Sequence, residues 1–154
     1  MDHQDAFSES VRQHFAYLVD EMGFALVEDR YLDTSSSCLV AFLSNMRYVK
    51  LIWELKDTCF YFGVYRVMKD GKPAPYADYS SDHFYIFGLA LFYEPQLDMK
   101  YLTSMDSYQF DAHILDGKIK LNAELLYKHG KEILDGRSWF DWQTNEVLFD
   151  SPSS

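Results

Sequence analysis

Apolar residues at Phe7, Val11, Phe15, Leu18, Val19 and Met22 fall on one face of a helix from about Asp5 to Met22. Asp5 or Ser8 offers a cap at its start, and Gly23 fits the stop position. From Phe24 the pattern changes to strands. A first run, about Phe24 to Leu32, leads into the polar loop Asp33-Thr34-Ser35-Ser36-Ser37. A second, Cys38 to Leu43, ends at the Ser44-Asn45 turn. The third alternates most clearly. Arg47, Val49, Leu51, Trp53 and Leu55 share one side; Tyr48, Lys50, Ile52, Glu54 and Lys56 share the other. The fourth, about Cys59 to Met68, is apolar on both faces and should be central or covered. Short links between the four favour an antiparallel meander.

Two prolines and a glycine in Lys69-Asp70-Gly71-Lys72-Pro73-Ala74-Pro75 end the sheet, and the chain stays irregular to Ser81. The segment His83 to Tyr93 reads as a helix capped by Ser81 or Asp82 and stopped by Pro95, with a strand as the competing reading. Residues 96–115 carry little pattern. Asp116-Gly117 reads as a turn, and Lys118 to Asp135 as a helix stopped by Gly136. Trp139-Phe140-Asp141-Trp142 needs a packing partner, and residues 151–154 should fray. The sum is one α+β domain over residues 1–154: an N-terminal helix, about four meandering antiparallel strands, and C-terminal helices packed on the sheet.

Charge narrows the function classes. The 154 residues hold 24 acids and 14 bases, a net −10 with histidine neutral. Residues 1–33 carry eight acids and two bases, and residues 73–115 six acids and one base; only 34–72 leans basic, with six bases and three acids. Nucleic-acid binding draws much of its affinity from a basic face, so that role and an anionic membrane surface are disfavoured. A basic protein partner suits an acidic chain, because opposite fields speed encounter. Solubility alone is the plainer use of the same charge. No run of 18 apolar residues occurs, so no transmembrane helix is expected. Met1-Asp2-His3-Gln4-Asp5 lacks the basic and apolar regions of a secretory signal, which points to the cytoplasm. Cys38 and Cys59, in apolar runs, read as buried thiols of a reducing compartment, although a cross-strand bridge stays open.

Catalytic motifs are missing from the pattern. There is no G-x-G-x-x-G, no G-x-x-x-x-G-K, no G-x-S-x-G, no H-E-x-x-H and no C-x-x-C. Asp106, Asp111 and His113 form the nearest thing to a metal cluster and read better as a polar loop. His14 borders the apolar face of the first helix. The expectation is a non-enzymatic protein without metal or cofactor. The distinctive excess is aromatic: 12 Tyr, 12 Phe and 3 Trp. Tyr76, Tyr79, Tyr85 and Tyr93 crowd the middle of the chain beside Asp78 and Asp82. Tyrosine offers large contact area at low entropy cost, and acids meet Arg or Lys, so Tyr76, Asp78, Tyr79 and Asp82 are the candidate partner-binding residues. A loop folded over the sheet is the competing reading.

Three stretches carry a resemblance: Phe15-Ala-Tyr-Leu-Val-Asp-Glu-Met-Gly23-Phe24, then Tyr48-Val-Lys-Leu-Ile-Trp53-Glu, then Leu125-Leu-Tyr-Lys-His-Gly-Lys-Glu-Ile-Leu134-Asp-Gly136. Together they resemble small uncharacterised bacterial α+β proteins, several families of which are similar to immunity proteins that neutralise polymorphic toxins. The shared features are a helix stop and a core stripe, so no functional residue carries over. The resemblance implies a binding role; neutralisation of a basic toxin partner is its sharpest version. Two other readings compete with it. In one, aromatic residues line a small-molecule or enzymatic pocket; in the other, the fourth strand or the C-terminal aromatics join two copies of the chain.

Overall fold

The computed structural model describes residues 2–105 and 111–149. Helix α1 runs His3–His14 and α2 Ala16–Asp20. The cap is Asp2, not Asp5 or Ser8: its side chain accepts the Asp5 N–H at 2.7 Å. The expected single helix is broken at Phe15, where the Leu18 N–H returns to the Phe15 carbonyl, an i→i+3 tightening. Phe7, Val11, Phe15 and Leu18 are nonetheless all fully buried, whereas Val19 is 46% exposed.

Strands β1 (Ala25–Leu32), β2 (Ser37–Leu43), β3 (Arg47–Glu54), β4 (Cys59–Arg66) and β5 (His83–Tyr85) form one antiparallel sheet in chain order. The alternation read in β3 is the alternation of burial, with Arg47, Val49, Leu51 and Trp53 all buried. Register extends it across the sheet. Val40, Leu51 and Phe62 align, as do Phe42, Val49 and Val64, with Phe84 opposite Val64. These residues meet α1 and α5 (Ala112–Leu134) in one hydrophobic core. The opposite face carries Tyr48, Lys50, Tyr61, Tyr65, His83 and Tyr85. β4 is internal, paired on both sides, as its apolar faces required.

The fold is α+β as read, with two further departures in its elements. His83–Tyr85 is the fifth strand, and helix α3 starts only at Ile86 and runs to Tyr93 without a side-chain cap, so Ser81 and Asp82 do not cap it. Asp116-Gly117 is not a turn but lies inside α5, which Asp111 caps by accepting the His113 and Ile114 N–H groups. The Asp116 carboxylate is taken instead by Ser10 Oγ at 2.7 Å and His14 Nε2 at 2.9 Å on α1. That tertiary contact overrides local turn chemistry. The short helix α4 (Met99–Thr103) lies in the stretch that carried little pattern, and a hairpin of β6 (Ser138–Asp141) and β7 (Glu146–Phe149) closes the described chain. Asp106 and residues 151–154 lie outside the described residues.

Candidate functional site

The candidate loop is fixed from behind by the hairpin. Trp139 Nε1 donates to the Ser81 carbonyl and Trp142 Nε1 to the Ser80 carbonyl, each at 2.8 Å. Gln143 Nε2 donates to the Tyr79 carbonyl. These donors can be aimed because the β6–β7 turn is itself built tightly. Asp141 Oδ1 accepts the N–H groups of Gln143 and Thr144, and Asn145 takes a left-handed φ of 56°. The backbone of residues 79–81 is thereby held, with Ser80 and Ser81 half-buried and the Tyr79 side chain standing outward. Tyr79 is 86% exposed and Tyr76 55%.

The four expected residues are only partly brought together. Tyr76 Oη donates to Asp78 Oδ1 at 2.8 Å. This bond, with a second contact to Tyr85, raises the Tyr76 hydroxyl well above the usual tyrosine range. Asp82 faces Arg66 instead, 3.7 Å from its Nε. Arg66 in turn lies 4.6 Å from the Trp139 ring centre, opposite Arg47 in register and sharing that ring. Tyr93 is elsewhere, stacked on His129 at 4.6 Å.

Behind Tyr76 and Asp78 a recess of about 370 Å³ opens along the β5 edge. Its lining includes His83, Tyr85 and Phe87 from β5 and α3, and Phe140, Trp142 and Asn145 from the hairpin. His83 is the hub. Its ring lies 5.4 Å from Tyr65, 5.2 Å from Tyr76, 5.8 Å from Tyr85 and 6.5 Å from Trp142. Gly63 permits the Tyr65 stack, since a Cβ there would stand 3.1 Å from the Tyr65 ring. His83 is 4% exposed, and its Nδ1 is buried without a hydrogen-bond partner. Burial, then the charge of Lys50, push its pKa below the ordinary value, against the opposing pull of Asp82 and Asp78. Burial thus favours the neutral imidazole. Among the described residues that line the recess there is no lysine or arginine.

Sequence reading found Tyr76, Asp78 and Tyr85 but missed His83, Phe87, Trp142 and Asn145. For Trp142 and Asn145 the missing signal is tertiary, because the hairpin lies more than fifty residues along the chain from the rest of the lining.

Other candidates resolve into structure. Cys38 and Cys59 are both free, and burial pushes the Cys38 thiol up to about 12. Cys38 sits opposite Trp53 and Cys59 opposite Glu54, at different rungs of the sheet. Asp111 is a helix cap, and no group of His, Cys, Asp and Glu among the described residues is arranged to hold a metal ion. No described helix is long and apolar enough to cross a membrane. Trp139 and Phe140 are 1% exposed and pack edge-on against Phe84, so these two C-terminal aromatics are used internally.

Comparison of the chain with protein-family models, with curated proteins and with solved structures finds no match in any of the three.

Proposed function

We propose that this chain is a non-enzymatic protein-binding module that docks a basic partner through the Tyr76–Asp82 loop. The observation that carries the reading is the loop's pre-organisation. Its backbone carbonyls are tied to Trp139, Trp142 and Gln143 while Tyr76 and Tyr79 stand exposed beside Asp78. A loop already held in its bound shape loses little entropy on association, and exposed tyrosines supply contact area with few torsions to freeze. The net charge of −10 favours a cationic partner. Immunity-type neutralisation of a basic toxin is the sharpest version, and it draws on the resemblance noted above. Acidic side chains would then occlude the basic active site of the toxin. The aromatic recess favours a second reading, a pocket for a small molecule.

The test places a photo-crosslinking amino acid at position 79 and, as a control, at Val19, which is 46% exposed on α2. Expressed in its source cells, the position-79 protein should capture one defined basic protein and the position-19 protein should not. Equal capture from both positions, or none from position 79, contradicts the proposal.

A further inference from the structure

We propose that the recess behind the loop is a socket for a guanidinium group, filled by an arginine side chain of the docking partner. The lining matches that chemistry on two counts. First, Tyr76, Tyr85, Phe87 and Trp142 line one recess, and aromatic walls of this kind attract a cation. Second, Asp78 stands at the rim; one oxygen holds the Tyr76 hydroxyl, and a carboxylate accepts further donors.

A planar cation can lie against the rings and donate to the Asp78 carboxylate at once. Guanidinium carries five N–H donors in a plane that also stacks on rings, and an ammonium lacks the plane. The same aromatic cluster already takes guanidinium groups on its far side, where Arg47 and Arg66 lie 4.9 and 4.6 Å from the Trp139 ring centre. No lysine or arginine is among the described lining residues; the nearby cation Lys50, whose charge reaches His83, lies over the Tyr65 ring at 5.0 Å instead. This assignment deepens the protein-binding reading and rests on it for the source of the arginine.

The test is made on the isolated full chain, without a partner. N-acetyl-arginine methylamide is titrated against the isotope-labelled protein and followed by NMR at the Trp142 indole N–H, the Gly88 amide and the His83 ring nitrogens. N-acetyl-citrulline methylamide, neutral and of the same shape, is titrated in parallel. The expected result is saturable shifts at all three positions, with citrulline weaker by roughly tenfold. Asp78→Asn should weaken the arginine titration more than the citrulline titration and so reduce that preference; position 78 is exposed, so the fold is not at stake. Absence of saturation below about 50 mM, equal binding of the two compounds, or an unaltered preference in Asp78→Asn overturns the assignment. A positive titration without cross-linking from position 79 overturns the partner as source and makes the occupant a free guanidinium compound.

Discussion

His83 shows how one residue changes role with its surroundings. In the sequence it is one of five histidines; in the fold it is ringed by Tyr65, Tyr76, Tyr85 and Trp142. Burial disfavours its charged form, with Lys50 adding to the effect and Asp82 and Asp78 opposing it. A base with a depressed folded-state pKa supplies stability above its unfolded value, and that stability is lost as pH falls. NMR titration of the ring should therefore give a midpoint below 6.5. Stability should fall between pH 7 and 5 more steeply in the native protein than in His83→Gln. A midpoint at or above 6.5 would contradict the burial assigned to this ring.

At the scale of elements, the long contacts that hold the site are polar and come from unexpected places. Arg47 is 3% exposed. Its Nε donates to the Ile133 carbonyl at 2.8 Å and its Nη2 to the Ser138 carbonyl at 3.0 Å. One side chain thus satisfies a carbonyl in the last turn of α5, favours the negative end of that helix, and ties β6 to the sheet. Arg47→Ala should cost about 3 kcal/mol in urea denaturation, because several buried carbonyls lose their donor together. A change under about 1 kcal/mol would show that the hairpin does not depend on it. Trp142→Phe should remove one loop anchor, costing about 1 kcal/mol or less, and amide exchange at residues 79–82 should quicken while the core stays protected. Unchanged exchange would mean the loop holds its shape unaided.

These elements were unequally legible. β3 was plain because burial on one face imposes a period of two, and the N-terminal helical stripe was plain because Phe7, Val11, Phe15 and Leu18, across α1 and α2, all meet the core. His83–Tyr85 was read as helix because a short aromatic run suits either element, and only pairing with β4 decides it. Asp116-Gly117 was read as a turn because Ser10 and His14, which claim the carboxylate, stand about a hundred residues away in the chain. Of the site, Tyr76, Asp78 and Tyr79 could be found from local composition, but Asp82 turned out to be engaged with Arg66. The recess itself exists only once the hairpin packs on β5.

For the whole molecule, the helices cover one face of the sheet. The tyrosines of the other face adjoin a rigid loop and an aromatic recess in a chain of net charge −10. The most direct measurement is the affinity of the cross-linked partner for the native chain and for the double variant Tyr76→Ala, Tyr79→Ala. Both side chains are exposed, so the variant should keep its fold and melting behaviour. The account predicts a loss of roughly thirtyfold, as for anchor residues worth about 2 kcal/mol together. Affinity within about twofold of the native chain, with the fold intact, would place the docking surface elsewhere.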